Sequence, residues 1–281
     1  MKTIRLQSKR ALRTALLILL LSAVGMTKTY AQSFTIGDLN YSVNDDGVSV
    51  TVTSHVDGQS ATGTLTIPES VSYEGISYAV TTIGEWAFDG CQNLSGGLNI
   101  PNSVTTIGQG AFEACKGFSG VLAIPSFVTE IGDIAFSSCI GFSHLSIPDA
   151  VTTIGTQAFA YCCFEGELNI SKNVKKIGEG AFTDCLFTAI NVDSKNPHYK
   201  SQNGILFTHG MDTLMQYPKG KSETSYNIPN SVKRINSEAF YACFLTDVTI
   251  PNSVTSIGSC AFCGHWLLED NVIDNIWMAG V

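Results

Sequence analysis

The fold predicted for this 281-residue chain is an α/β solenoid: short parallel strands alternating with single helical turns, closed at the front by a β-hairpin cap. Repetition is the first ground for it. The stretch IPNSVTTIGQGAFEAC, Ile100 to Cys115, returns as Ile124-Pro125, Ile131-Gly132, Ala135-Phe136 and Cys139, then as Ile147-Pro148, Ile154-Gly155, Ala158-Phe159 and Cys162. Period is the second. Copies begin at Ile67, Ile100, Ile124, Ile147, Ile170, Ile228 and Ile250, and the regular steps among them are 24, 23, 23 and 22 residues, the spacing of units that stack into one continuous core. The third is a strand pattern ahead of the first copy, where Tyr41, Val43, Val48, Val50 and Val52 alternate around Asp46-Gly47.

Residues 1–31 stand apart from the repeat. Lys2, Arg5, Lys9, Arg10 and Arg13 precede an apolar run from Ala15 to Val24, and Thr29-Tyr30-Ala31 offers small residues at a cleavage site, so this reads as a secretory signal peptide cut after Ala31. The run is too short to span a bilayer, which takes roughly 20 apolar residues. No later segment is expected to span, and no Cys stands at the cleavage site for a lipid anchor. Residues 32–63 follow as the β cap, whose expected task is to cover the first repeat and its unpaired strand edge.

Residues 64–265 form the solenoid. Leu98 and Ile100 are an apolar pair at strand spacing, and Pro101, with no N–H to donate, ends that strand. Asn102-Ser103 make a turn, Val104 and Ile107 return to the core, and Gly108 is expected to free the backbone to change direction. Ala111, Phe112 and Cys115 lie on one side of a single helical turn that only stacking can hold. Phe112, Phe136, Phe159, Phe182 and Phe240 should then form a buried aromatic ladder. The 33-residue step from Ile67 to Ile100 carries an insertion, SYEGISYA, and the 58-residue step from Ile170 to Ile228 leaves room for a degenerate unit.

The sentence IPxSVxxIGxxAFxxC, over about Ile67 to Phe262, resembles the leucine-rich repeats of the BspA-like bacterial surface proteins. The segment with Tyr199, Asn203-Gly204-Ile205-Leu206-Phe207 and Gln216-Tyr217-Pro218 is similar to a feature of that family. Read from the residues, Asn203-Gly204 is a hairpin turn and Leu214 to Pro218 a strand, so an irregular β unit over about 191–227 replaces the helical turn. The resemblance implies a leucine-rich-repeat solenoid, export, and binding of other proteins or surfaces. Past Phe262, the spacing of Leu268, Val272 and Ile276, with Ile273 and Trp277 beside them, predicts either a capping helix over 266–281 or an array cut short there.

Composition narrows the function. Six of the 16 Lys+Arg and none of the 24 Asp+Glu lie in residues 1–31, so the remainder carries ten against 24, a net charge of −14. Nucleic acid and anionic membranes, which need a basic surface, are not expected partners. Paired carboxylates in a cleft pattern, a nucleophile with a His partner, a phosphate loop and a metal helix are all missing as motifs, so no enzyme, catalytic residue or cofactor is expected.

Six of the nine cysteines, Cys91, Cys115, Cys139, Cys162, Cys185 and Cys243, share one repeat position and read as small buried side chains. Stacked rungs would bring their Cα atoms within disulfide range, yet parallel inward side chains suit that bond poorly. Cys260, Cys263 and His265 have the spacing of half a zinc site, but His55, His144, His198 and His209 lie far off, so no metal is expected and CAFCGH reads as a degenerate last rung.

What remains is a surface. The outward residue between the two strand apolars gives a polar column that includes Asn99, Asn169, Asn191 and Asn227. A second column, Thr105-Thr106, Thr129-Glu130 and Thr152-Thr153, ends in paired cations at Lys175-Lys176 and Lys233-Arg234. The four asparagines and the four cations are the expected ligand-contact surface. The function expected is an exported protein-binding module at the cell surface or beyond, or in the periplasm, an adhesin for host or neighbouring-cell proteins; the alternative is a structural, non-adhesive part of a cell-surface or periplasmic assembly.

Overall fold

The computed structural model describes residues 32–264 and 276–278. The signal peptide read in residues 1–31 and most of the helix read in 266–281 lie outside the described residues. Ile276–Met278 within that stretch are extended, and pair in parallel with Asp247–Ile250.

Strands β1 (Ser33–Ile36), β2 (Leu39–Val43) and β3 (Ser49–His55) form an antiparallel meander. Its turn is held by Asp46, whose carboxylate accepts from the amides of Val48 and Ser49, both at 2.9 Å. Tyr41 opposes Val52 and Val43 opposes Val50. Val48, read above as part of the alternating strand pattern, is 60% exposed because it belongs to that turn. On its other edge β3 pairs in parallel with Ile76–Ile83, which begins the repeat ladder. The insertion SYEGISYA is a hairpin between Ser70–Tyr73 and Ile76–Ile83, turned at Glu74-Gly75 with both φ values positive.

The repeats stack in register. Ile83, Ile107, Ile131, Ile154 and Ile177 occupy successive rungs of one parallel ladder, each less than a tenth exposed. Ala-Phe pairs follow one another across the same steps. Ring centroids lie 5.1 Å apart for Phe88–Phe112, 5.2 Å for Phe112–Phe136, 5.6 Å for Phe136–Phe159 and 6.0 Å for Phe159–Phe182, all stacked. The ladder does not step from Phe182 to Phe240 as the repeat predicts; Tyr217 from the irregular unit stacks on Phe240 at 5.4 Å. A second ladder, Phe118–Phe142–Phe164–Phe187, runs beside the first at 5.9, 6.4 and 6.0 Å. Such pairs contribute about 0.5–1.5 kcal/mol each beyond area burial.

The expected helical turn is not a helix, and the α/β description gives way to a β-solenoid. In Gly108–Cys115 alternate amides point in two directions. Ala111, Glu113 and Cys115 donate back three residues, to Gly108, Gly110 and Phe112, whereas Gly110, Phe112 and Ala114 donate across to Asp133, Ala135 and Ser137 of the next repeat at 2.8–2.9 Å. Left-handed residues at Gly110 and Ala114 (φ 58° and 54°) create this alternation and forbid the continuous right-handed turn an α-helix requires. An isolated helical turn would leave its amides to water; this arc gives half of them to its neighbour. The spacing of Ala111, Phe112 and Cys115 fits either conformation.

Gly108 also has a different task from the one expected. Its φ is not positive; a Cβ there would stand 2.8 Å from Glu85 N and 2.9 Å from Gly84 C of the preceding rung. Close backbone approach excludes a side chain. Where the irregular unit changes the preceding rung, Asn236 takes this position and is buried.

That unit comprises Tyr199–Gln202, Ile205–Thr208 and Thr213–Gln216, with Asn203 and Gly204 both at positive φ in the first hairpin turn. Leu206 packs into the core that begins at Phe34, whereas Ile205 and Phe207 pack into a second core that runs to Ala261. One strand, buried on both faces through its two-residue alternation, thus walls off two cores. Thr213–Gln216 then restarts the parallel ladder, Leu214 opposite Ile235.

Candidate interaction surface

The asparagine column is only partly continuous. Asn169 and Asn191 are adjacent in register on Glu165–Ile170 and Leu186–Val192, and the Asn191 amide donates to Glu167 Oε2 at 2.8 Å. They line a shallow depression of about 340 Å³ with Asp149, Ser171 and Asp193. Asn99 bridges Thr66 and lines a separate depression of about 480 Å³ with Glu69 and Asn102. Asn227 sits past the irregular unit, opposite Thr249. The four therefore do not converge on one site.

The cation column is interrupted and then bridged. Lys176 pairs with Thr153 at the end of the first ladder; Arg234 pairs with Thr213 and Ser256 in the second. Arg234 Nη2 reaches back to donate to Glu179 Oε1 at 2.7 Å, and Ser237 Oγ donates to Glu179 Oε2 at 2.8 Å. Glu179 lies three residues after Lys176, so its carboxylate ties the two cation-bearing rungs together while neutralising Arg234. Lys175, Lys176 and Lys233 are exposed and have no ion pair among the described residues. The Asp212 carbonyl accepts from the amides of Lys233 and Arg234 at 2.7 and 3.0 Å. The Thr208 hydroxyl, with a smaller contribution from Lys233, holds the Asp212 carboxyl below its usual range.

Glu179 was not among the residues picked from sequence, nor were two other links across the same seam: Gln157 Nε2 donating to Glu238 Oε1 at 2.8 Å, and the ion pair of Lys219 with Asp184. The Arg234, Gln157 and Lys219 links join residues 55, 81 and 35 positions apart. No local pattern marks them.

The threonine column already has work within the ladder. Thr105, Thr129 and Thr152 each donate a hydroxyl to the threonine carbonyl one rung earlier, at 3.2–3.3 Å. The ladder cysteines do likewise inside. Cys115, Cys139, Cys162 and Cys185 donate from Sγ to the carbonyls of Phe88, Phe112, Phe136 and Phe159 at 3.0–3.1 Å, and Cys243 to Tyr217 at 3.7 Å. Burial raises these thiols, Cys91 to about 11 and Cys162 to about 12. None of the nine cysteines is in a disulfide. Among the described residues no group of three His, Cys, Asp or Glu could hold a metal ion, and no helix is long and apolar enough to cross a membrane.

Comparison with solved structures returns bacterial repeat proteins. A leucine-rich cell surface protein from Faecalibacterium prausnitzii is 25% identical, with a TM-score of 0.57 over 84% of this chain and 75% of that one. The pneumococcal vaccine antigen PcpA, 22% identical, has a TM-score of 0.65 over 83% and 68%, and a leucine-rich repeat protein from Bacteroides ovatus, 24% identical, 0.56 over 81% and 67%; these two show the fold. No curated protein matches the chain. The family model for the BspA type leucine-rich repeat region matches six copies over residues 81–202 and 218–276, more than half of the sequence, so the chain belongs to the BspA-type leucine-rich-repeat family.

Proposed function

We propose that this chain is an exported protein-binding module displayed at the cell surface, an adhesin for acidic host or neighbouring-cell proteins. Membership of a repeat family supports the scaffold: its rungs differ chiefly at exposed positions, where a solenoid makes its contacts. The leader-like residues 1–31 and the likeness to the Faecalibacterium prausnitzii cell surface protein support the address. The contact site is carried by one observation: of the exposed lysines without ion pairs among the described residues, Lys175, Lys176 and Lys233 fall on the one column that changes from threonine to paired cations. Apart from residues 1–31 the chain is strongly acidic, so this patch is a local reversal of charge that would steer an acidic partner. Asn169 and Asn191 add hydrogen-bonding groups on the other column. The meander β1–β3 acts as the front cap of the array.

The test is capture of host matrix proteins and of neighbouring bacterial cells by immobilised residues 32–281. Saturable capture that weakens with salt is the expected result; no capture of either contradicts the module reading.

A structural role in a surface or periplasmic assembly is favoured by a different observation. The Thr105, Thr129 and Thr152 hydroxyls and the Asn191 amide are spent on neighbouring rungs rather than left for a ligand. On that reading the chain co-purifies with its own envelope and captures nothing foreign.

A further inference from the structure

Eight of the nine thiols are either ladder residues or belong to one turn; Cys163 is the exposed remainder. The ladder thiols are buried and hydrogen-bonded to carbonyls, which removes them from exchange chemistry. Cys260 and Cys263 are different. They replace the residues that other rungs place at the corners of the same turn, Glu238 and Tyr241 in the rung before, Gly110 and Glu113 in an early one. Cys260 is exposed and Cys263 half-buried.

The turn brings them together. Cys260 has φ 51°, and the Cys263 amide donates to the Cys260 carbonyl at 3.1 Å. A turn closed by that bond holds its first and last Cα atoms within about 7 Å. A disulfide takes Cα separations of about 4.4–6.8 Å. The side chains also interact: the Cys260 side chain, ahead of burial, holds the Cys263 thiol up at about 11.

We infer that Cys260 and Cys263 are a thiol–disulfide exchange pair, closing the last described turn when the chain meets a small-molecule disulfide such as oxidised glutathione. The Cys260 thiolate attacks one sulfur of the oxidant, its S–S bond breaks, and one glutathione thiolate leaves and takes up a proton. Cys263 then gives up its proton and attacks Cys260 Sγ, displacing the second glutathione. Two protein thiols are oxidised to one disulfide and one oxidised glutathione is reduced to two thiols. Excess glutathione runs the sequence backwards.

The test uses the full chain incubated with oxidised glutathione, then acid-quenched, alkylated under denaturing conditions and mapped by mass spectrometry. The expected result is a peptide containing Cys260 and Cys263 that has lost two hydrogens and carries no alkyl group, with the ladder thiols fully alkylated and Cys163 bearing a glutathione adduct. Cys263→Ser should trap the adduct on Cys260, because the displacing thiol is gone. Stable glutathione adducts on both cysteines of the native chain, both cysteines alkylated while Cys163 is modified, or oxidation of the ladder thiols at the same rate as the pair would each overturn the assignment.

Discussion

Cys139 Sγ donates to the carbonyl of Phe112 at 3.0 Å, and that carbonyl also accepts the Cys115 amide of its own turn at 3.2 Å. One buried oxygen thus closes a turn and fastens the next rung. Replacing Cys139 with Ala should cost about 1–2 kcal/mol, from one lost hydrogen bond and a small void. Cys139→Ser keeps a donor and should cost no more than Ala, as read by urea unfolding. A clearly larger loss for Ser would mean that the thiol acts only as apolar filling.

Alkali should weaken the fold through the same thiols. Burial raises Cys91 to about 11 and Cys162 to about 12 from the ordinary 9.0. Well below pH 9 the thiols are protonated in both states and their contribution is intact. As pH rises through that value the unfolded chain releases protons that the folded chain keeps, so stability falls as pH approaches the folded values. The urea midpoint should be flat up to about pH 8.5, the usual thiol range, and decline beyond it, with a shallower decline in Cys162→Ala. A midpoint that does not fall, or an equal slope in that variant, would contradict the assignment.

Two glycines separate close packing from mere flexibility. A Cβ at Gly132 would stand 2.5 Å from Gln109 N and 2.6 Å from Gly108 C, whereas at Gly97 it would meet nothing within 4 Å. Gly132→Ala should destabilise by about 1–3 kcal/mol, the range for overpacking. Gly97→Ala should be neutral to slightly stabilising in the same thermal melt, because it only restricts the unfolded chain.

Glu179 restrains Arg234 across an exposed pair, 48% and 46% accessible. Glu179→Gln should change stability by no more than about 1 kcal/mol, the usual worth of such pairs. It should also release a fourth cation to the patch and strengthen salt-sensitive capture of acidic partners. Stability loss well beyond that range would make the bridge a structural clamp between the two ladders.

The apolar skeleton was legible because each rung repeats it: Ile107, Phe112 and Cys115 recur at fixed offsets, and burial follows the period. The conformation joining them was not. Left-handed backbone at Ala114, Ile134 and Tyr161 has no sequence mark, since none of these residues is glycine, and the cross-rung amide bonds that hold them there come from the neighbouring copy. The Phe118 ladder escaped notice because its members fall three residues after the cysteine in two rungs and two residues after it in the next two. Lys175, Lys176 and Lys233 were visible as a change of charge along a column. Their tie through Glu179 was not, because the irregular unit puts 55 residues between Glu179 and Arg234.

The claim that function resides in a few variable positions on a uniform scaffold is tested most directly by charge reversal. Lys175→Glu, Lys176→Glu and Lys233→Glu, combined in one chain, should leave the melting temperature within a few degrees, since all three side chains are exposed. Partner binding measured by surface plasmon resonance should fall at least tenfold, equivalent to about 1.4 kcal/mol or more. Unchanged affinity at unchanged stability would contradict the account.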